Sequence, residues 1–206
     1  MTRRVAVSLW SVPEPAQDPT LISLRTAGLE HVHWDLTDGV FAAAGGFPAD
    51  RARTLTAAHG LRAEAHLMVT DPLAHLDAWT DFCELVVVHA ETPDHLAALR
   101  RIEKRGARAG LALSPGTPTD VVPSGDLAVL VMSIVPGQAG STFAPSALGT
   151  VRELRTGDPD RLVGLDGGVQ RRHLDDIRQA GASWLVSGTD LTGAADPAGW
   201  MADARA

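Results

Sequence analysis

Lysine is almost absent from this chain of 206 residues, and Lys104 is the only lysine among its 18 basic residues. Lys104 lies within residues 97–105, a stretch whose residue pattern is typical of a helix. Enzymes that work through a Schiff-base lysine, or through a charged lysine between aspartates, would lack their key residue here. The scarcity of lysine therefore excludes two kinds of enzyme chemistry.

Cysteine and long hydrophobic segments are also scarce. Cys83 is the single cysteine, so no internal disulfide can form, and we expect a reducing cytoplasm and a structural thiol rather than a nucleophile. No apolar run approaches the roughly 20 residues that span a bilayer. Residues 1–4 lead directly into a strand-like segment, so we expect no secretory signal and no membrane partner.

Positive charge is the third shortage, because 25 acidic residues outnumber 18 basic ones and give a formal net charge of −7. Such a charge disfavours binding to nucleic acid or to an anionic membrane surface. It would also repel a phosphorylated ligand at long range. Any phosphate site must therefore be built locally.

Short β-rich segments alternate with longer, helix-like segments along the whole chain. Strands joined by helices indicate a parallel sheet with right-handed crossovers, and eight such units close into a (β/α)₈ TIM barrel. We expect one barrel domain over residues 1–206, and an open doubly wound sheet is the structural alternative. The predicted strands are residues 5–9, 31–35, 62–68, 85–89, 109–113, 128–132, 162–166 and 184–187. The predicted helices are residues 21–27, 50–59, 72–80, 93–105, 119–122, 146–154, 172–180 and 197–204.

Four side chains with metal-binding groups fall at the carboxyl ends of three predicted strands. His33 and Asp35 lie two residues apart and share one strand face, His66 lies near the end of the third strand, and Asp166 ends the seventh. Active sites of TIM barrels lie at this end of the strands, and imidazoles with carboxylates suit a borderline divalent metal. For each residue alone, a hydrogen-bonded packing role is the alternative.

Three further polar residues lie near these positions. His31 shares the inward face of its strand but lies two residues deeper than His33, so we interpret it as packing inside the barrel. His89 and Glu91 lie at the end of the fourth predicted strand. We expect both of them to line the pocket.

Glycine-containing segments follow each of the last three predicted strands and indicate a phosphate site. Backbone N–H groups in glycine loops can approach a phosphate closely, and the positive end of a helix adds to the attraction. Phosphate sites of TIM barrels commonly lie after strands seven and eight. The alternative is that these glycines only make tight turns. The residues expected to bind phosphate are Gly137, Gly140, Ser141, Gly167, Gly168, Gly188 and Thr189.

The order of several short motifs resembles the ribulose-phosphate 3-epimerase family over nearly the whole chain. The resemblance implies the ribulose-phosphate-binding type of TIM barrel. It also implies a metal-dependent epimerase acting on ribulose 5-phosphate and xylulose 5-phosphate or a close analogue. The motifs are Val7-Ser8-Leu9, His33-Trp34-Asp35 with Asp38-Gly39, His66-Leu67-Met68-Val69, Leu111-Ala112-Leu113-Ser114-Pro115, Val131-Met132-Ser133 with Pro136-Gly137, Asp166-Gly167-Gly168-Val169 and Ser187-Gly188-Thr189.

The same resemblance implies roles for individual residues. The resemblance implies that one divalent metal is bound by His33, Asp35, His66 and Asp166. It also implies that the two aspartates act as acid and base and that no organic cofactor is needed. It places Ser8 beneath the metal and His66 beside the substrate. It makes Met68 and Met132 an apolar cap, for which core packing is the alternative. Zinc, iron(II), manganese and cobalt all accept such ligands, and a homo-oligomer would be ordinary.

The expected substrate lining departs from the family pattern at four places. Thr37 replaces a methionine, residues 40–46 replace a Val-Pro-Asn run, residues 137–141 replace Gly-Phe-Gly-Gly-Gln, and Trp10 also differs. We expect Thr37 to leave room and a hydroxyl for hydrogen bonding near the reacting carbons, which would shift substrate preference or rate. The alternative is neutral drift, with a neighbouring side chain such as Trp10 filling the gap. Two other functions stay open, namely a pathway-specialised paralogue acting on another ketose phosphate and a non-catalytic barrel that binds a phosphorylated ligand.

Overall fold

The computed structural model describes residues 3–206, and its eight parallel strands form a closed barrel in sequence order. The predicted TIM barrel is confirmed, and the open sheet is excluded. The strands are β1 (Arg4–Ser8), β2 (His31–Thr37), β3 (Arg62–Met68), β4 (Leu85–His89), β5 (Arg108–Leu113), β6 (Ala128–Met132), β7 (Val163–Asp166) and β8 (Trp184–Ser187). The helices are α1 (Glu14–Thr26), α2 (Ala49–Ala58), α3 (Leu76–Thr80), α4 (His95–Lys104), α5 (Ala147–Gly157), α6 (Leu174–Ala180), α7 (Thr189–Thr192) and α8 (Pro197–Arg205).

The register of the barrel brings the predicted site residues to the same end. Ser8 pairs with His33 between β1 and β2, and Asp35 pairs with His66 between β2 and β3. Asp166 of β7 pairs with Met132 of β6. Because all strands are parallel, these residues lie on one rim at the carboxyl ends of the strands.

The apolar core has two layers. The larger layer lies between the outer face of the barrel and the helices and includes Trp34, Trp79 and Trp200. The smaller layer fills the barrel interior and includes Trp184. A Cβ atom at Gly164 would lie 2.2 Å from the Trp184 ring, so the glycine makes room for the indole inside the barrel.

Charged side chains surround the amino-terminal end of the barrel. Arg4 Nη2 lies 2.7 Å from a carboxylate oxygen of Glu64 and 2.6 Å from one of Glu84. His31 is buried in this cluster, with its Nε2 3.5 Å from Glu84. The packing role interpreted for His31 therefore includes a polar contact, at the end of the barrel opposite the candidate site.

Helix α1 is longer than predicted because it tolerates two prolines. It begins at Glu14 rather than at residue 21, with Pro15 in its first turn and Pro19 inside. A proline in the first turn loses no helical hydrogen bond, whereas an interior proline usually breaks the helix. The pattern after Pro19 therefore indicated only the second half of the helix.

The prediction of a helix at residues 119–122 is wrong. Thr119–Val121 form only a 3₁₀ turn, and Val122 is extended. Val122 precedes Pro123, and a residue before proline is driven out of the helical region.

Two predicted helices are divided in the structure, and one short helix is additional. The helices predicted at residues 72–80 and 172–180 each begin with a 3₁₀ turn, at Pro72–Ala74 and Arg171–His173. The short helix α7 was not predicted at all. Among the helices formed within residues 3–206, none has the length and apolar character needed to cross a membrane.

Candidate active site

Four side chains predicted as metal ligands meet at the floor of a cavity at the carboxyl end of the barrel. One potential ligand atom from each of His33, Asp35, His66 and Asp166 lies within 4.8 Å of the others. Asp35 Oδ1 is 3.4 Å from His33 Nε2 and 3.3 Å from His66 Nδ1. Asp166 Oδ2 faces the same two nitrogens at 4.0 and 3.7 Å. The structure therefore brings the four residues together around one point.

The two imidazole nitrogens at this point lack protein partners. His33 Nε2 and His66 Nδ1 are buried and make no hydrogen bond within the part of the chain that the structure describes. Leaving a buried polar atom unsatisfied costs about 1–3 kcal/mol. A divalent cation would satisfy both nitrogens and offset the two carboxylates, and this donor set suits a zinc-type metal. The residues present therefore fit a metal.

Glu64 holds His33 in place, and sequence reasoning missed it. Glu64 Oε1 lies 2.7 Å from His33 Nδ1 and accepts a hydrogen bond from Trp184 Nε1 at 2.9 Å. A carboxylate beside Nδ1 keeps the proton on that nitrogen and leaves Nε2 free to bind a metal. One signal was available, because Glu64 precedes His66 by two residues and shares its strand face.

His89 and Glu91 do not line the cavity, so that expectation is wrong. His89 is fully buried behind His66, and the two Nε2 atoms are 2.9 Å apart. The Phe41 ring covers His89 with a centroid distance of 4.6 Å. Glu91 contacts His89 rather than His66, with its Oε2 2.9 Å from His89 Nδ1. Both residues support His66 from behind because β4 packs beside β3.

Each aspartate has a second oxygen held by one donor. Ser8 Oγ donates to Asp35 Oδ2 at 2.8 Å, and the Gly167 backbone N–H donates to Asp166 Oδ1 at 2.7 Å. The opposite oxygens, Asp35 Oδ1 and Asp166 Oδ2, face the imidazoles. The two carboxylates are thus oriented alike, although they come from strands three positions apart around the barrel.

The two aspartates have pKa values shifted in opposite directions. Burial raises the pKa of Asp35, but the neighbouring His33 and His66 outweigh burial and lower it overall. Burial raises the pKa of Asp166; attraction to His33 and His66 and repulsion by Asp35 act in opposite directions, and the net pKa is raised. Opposite shifts in adjacent carboxyl groups are typical of acid–base pairs.

His33 and His89 also differ in their pKa. Burial lowers the pKa of His33, but Asp35 and Glu64 raise it well above the usual value. Burial lowers the pKa of His89 to about 4, although Glu91 acts in the other direction. A histidine that binds a metal must be neutral, so a metal bound by His33 would have to displace a proton from it.

The cavity above these residues is lined by nearly all of the predicted substrate residues. His66 is the exception, because it is fully buried beneath the cavity. The predicted residues that line the cavity are Ser8, Met68, Met132, Gly137, Gly140, Ser141, Gly167 and Gly168, together with Gly188 and Thr189. Trp10, Ser11, Ile134, Ala139, Val169, Gln170 and Asp190 line it as well.

The far side of the cavity offers backbone groups rather than basic side chains. No lysine or arginine of the described residues lines the cavity. The N–H groups of Gly168 and Gly188 donate to no backbone acceptor within residues 3–206. Gly168 has a φ of +60°, and a Cβ there would lie 2.7 Å from the Phe143 nitrogen. Only glycine therefore lets the loop after β6 pack against the turn after β7.

Thr37 does not offer a free hydroxyl to the cavity, so that expectation is wrong. Its Oγ1 lies 2.7 Å from the Ala43 carbonyl oxygen and 3.1 Å from that of Gly45, and it donates to this pair of acceptors. The hydroxyl therefore fastens the loop between β2 and α2.

Two further contacts hold this loop over the barrel. A Cβ at Gly45 would lie 2.9 Å from the Trp10 ring, so the indole packs directly on the loop backbone. A Cβ at Gly137 would lie 2.8 Å from the Ala42 Cβ, so the loops after β2 and β6 touch across the barrel mouth. The altered residues 40–46 thus pack against Trp10 and Gly137, which both line the cavity.

Comparison with known proteins matches this chain to a family. Residues 4–192 match the model of the ribulose-phosphate 3 epimerase family. The ribulose-phosphate 3-epimerase of Bacillus subtilis is 30% identical over 206 residues, which cover 94% of each chain. The ribulose-phosphate 3-epimerase of Mycobacterium leprae is 32% identical over 193 residues, covering 87% of this chain and 84% of the relative.

Solved structures with lower identity share the fold. The 3-hexulose-6-phosphate synthase of Salmonella typhimurium has a TM-score of 0.73 at 14% identity and covers 98% of this chain and 96% of its own. The phosphoribosyl anthranilate isomerase of Thermus thermophilus has a TM-score of 0.68 at 17% identity, with coverage of 98% and 96%. At these identities the likeness supports the TIM barrel alone.

Proposed function

The chain belongs to the ribulose-phosphate 3-epimerase family, and from this premise we propose that it interconverts ribulose 5-phosphate and xylulose 5-phosphate or a close analogue. The reaction inverts the carbon next to the ketone. The observation that carries the proposal is the pair of cavity-lining carboxylates, Asp35 and Asp166, beside two partnerless imidazole nitrogens. Names of relatives at 30–32% identity support the same activity.

We propose that His33, His66, Asp35 and Asp166 hold one divalent cation through the atoms that face one another. Bound there, the cation supplies positive charge that stabilises the negative charge developing on the substrate oxygens. Two imidazoles and two carboxylates accept zinc, iron(II), manganese or cobalt. The residues themselves do not select one of these metals.

The two aspartates carry the proton transfer in this proposal. Inverting a carbon next to a ketone requires removal of its proton from one face and return of a proton to the other. Asp35 accepts the proton on one face while Asp166 donates on the other, and the roles exchange in the reverse direction. Well-placed acid–base groups of this kind contribute about 10²–10⁴-fold in rate. The hydrogen bonds from Ser8 and from the Gly167 N–H orient the two carboxylates toward the reacting carbon. The substrate therefore does not need to move between the two proton transfers.

The apolar side chains beside the aspartates exclude water from the reacting carbons. Met68 and Met132 are buried, at 3% and 4% exposure, yet both line the cavity. A methionine surface adapts to the shape of a ligand without offering a competing proton donor. These residues therefore protect the enediolate that forms when the first proton leaves.

The far side of the cavity is proposed to bind the terminal phosphate. Gly168 and Gly188 present N–H groups free of backbone acceptors, and Gly140, Ser141 and Thr189 line the same region. Because no lysine or arginine of the described residues lines the cavity, backbone N–H groups must supply most of the attraction. Such groups bind phosphate well when the backbone is fixed in advance.

The function is tested by assaying purified protein loaded separately with each of the four metals. We expect conversion of ribulose 5-phosphate to xylulose 5-phosphate, with activity lost on thorough chelation and restored by metal. Six-carbon ketose phosphates assayed in parallel show whether the preference lies elsewhere. Failure to interconvert any ketose phosphate would reject the function and favour a barrel that only binds a phosphorylated ligand. Full activity after chelation would reject the metal.

The phosphate site is tested with ribulose, which lacks the phosphate. We expect kcat/KM for ribulose to fall far below that for ribulose 5-phosphate, because the N–H groups are left without an acceptor. Equal kcat/KM for the two sugars would reject the phosphate site while leaving the proton transfer intact.

A further inference from the structure

We propose that His89 and Glu91 form a positioning pair that keeps the Nε2 proton on His66 and thereby strengthens metal binding. The inference rests on the proposed metal site and adds residues to it. Neither residue lines the cavity, so neither is a catalytic residue. Their effect passes through His66.

The hydrogen-bond directions follow from the groups at the two ends. Glu91 Oε2 is 2.9 Å from His89 Nδ1, and a carboxylate only accepts, so Nδ1 of His89 carries the proton. A neutral His89 then has a lone pair on Nε2, which is 2.9 Å from His66 Nε2. His66 must donate across this contact. Its Nδ1 is left with a lone pair that points to the two aspartates.

The opposite direction would disable the site. If His66 accepted from His89 through Nε2, the proton of neutral His66 would lie on Nδ1. That nitrogen is buried, makes no hydrogen bond and faces Asp35 Oδ1 at 3.3 Å. A proton there would occupy the position where the metal binds. The pair therefore selects the tautomer that can ligate.

Packing keeps the pair in place. The rings of His66 and His89 stack with centroids 5.0 Å apart and an angle of 25° between planes. Phe41 covers the other side of His89, which is fully buried. Glu91 accepts a hydrogen bond from the Ser114 backbone N–H at 2.9 Å and another from Thr117. Each side chain of the pair is thus contacted by residues beyond His66.

His33 makes directly the carboxylate contact that His66 makes through the His89–Glu91 pair. His33 meets the carboxylate of Glu64 directly, at 2.7 Å. His66 reaches a carboxylate only through a second imidazole. Carboxylates behind metal-binding histidines fix the tautomer and raise the basicity of the ligand, and their loss weakens metal binding about 10–100-fold. We expect an effect of this size at His89.

The test measures the zinc dissociation constant by competition with a chromogenic chelator, for the wild type and three variants. His89→Phe keeps a ring against Phe41 but removes both nitrogens, and we expect zinc to bind about 10–100-fold more weakly. Glu91→Gln is the second variant, because Glu91 is partly exposed. The amide of glutamine can donate a hydrogen bond to His89 Nδ1 as well as accept one, so it permits the wrong tautomer. His59→Phe is the control, since His59 contacts Asp18 far from the site.

The tautomer itself is read from nitrogen-15 NMR spectra of the histidine rings. We expect His66 to carry its proton on Nε2 in the zinc-loaded wild type and Glu91→Gln to show a mixture in the metal-free state. If His89→Phe and Glu91→Gln both bind zinc as tightly as the wild type, this inference is overturned, while the proposed metal site stands. A wild type that binds no metal would overturn the proposed metal site and this inference together. An equal loss of affinity in His59→Phe would also count against it.

Discussion

The two ends of the cavity are built from different parts of the chain. At the metal end, buried side chains hold one another: Glu64 bonds to His33, His89 bonds to His66, and Ser8 bonds to Asp35. At the phosphate end, glycine turns present backbone N–H groups, and basic side chains are missing from the lining within residues 3–206. The first end depends on residue type and the second on backbone shape. Substitutions should therefore affect the two ends in different ways.

The largest effect is expected from the aspartates. Asp35→Asn and Asp166→Asn each remove a proton acceptor, so we expect kcat to fall by at least about 10²–10⁴-fold. Metal content must be measured for each variant, because loss of the metal would also abolish turnover. Steady-state kinetics with ribulose 5-phosphate gives the measurement.

Asp190→Asn is the matched control at the other end of the cavity. Asp190 also lines the cavity, but its carboxylate accepts hydrogen bonds from the Arg171 N–H and the Trp200 ring. We expect its kcat to stay within about tenfold of the wild type, since it lies outside the proton path. Similar losses in all three variants would erase the distinction between the two ends.

A medium effect is expected from the glycine turns. Gly168→Ala forces a side chain into a backbone with a φ of +60° and against Phe143, which costs about 1–3 kcal/mol of unfolding free energy. We expect KM to rise more than kcat falls. Gly188 has a φ of −97° and more space, with 3.4 Å from a Cβ to the nearest atom.

Gly188→Ala is therefore the comparison variant, and we expect it to be less destabilised than Gly168→Ala in thermal or denaturant unfolding. If Gly168→Ala lowers kcat alone, with KM unchanged, the turn after β7 does not bind the substrate phosphate.

The smallest effect is expected at Thr37, which ends β2 two residues after Asp35. Thr37→Val keeps the shape of the side chain but removes the hydrogen bond to the loop, so we expect a loss of about 0.5–1.5 kcal/mol of stability. We expect the ratio of kcat/KM values for five- and six-carbon ketose phosphates to change by less than about threefold, because the hydroxyl does not reach the cavity. Thr37→Met, assayed in parallel, tests the residue that the family usually has. A larger change of the ratio in Thr37→Val would restore a direct role in substrate choice.

The alternation of strands and helices was sufficient to predict a parallel sheet, with the barrel as the expected form. The open doubly wound sheet stayed an alternative until the structure showed β1 paired with β8. The meeting of His33, Asp35, His66 and Asp166 was also predictable, since parallel strands end on one rim. The roles assigned to these residues stay predictions.

The rest depended on contacts between strands that a linear pattern does not contain. Glu64 reads as an ordinary strand residue until Trp184 and His33 are placed beside it. Thr37 lies near the predicted site, but only the folded loop shows that its hydroxyl is already bonded. His89 needed the position of Phe41 before its burial could be known.

The central claim is that two carboxylates act on opposite faces of one carbon. The most direct measurement follows deuterium during the first turnovers of ribulose 5-phosphate by the wild-type protein in deuterated water. We predict that xylulose 5-phosphate forms with deuterium at the epimerised carbon, because the donating carboxyl group carries a deuteron from the solvent. The remaining ribulose 5-phosphate stays unlabelled, because the accepting carboxylate can return only the proton that it has just removed. Xylulose 5-phosphate that retains the original proton would show one group acting on both faces and would contradict the account.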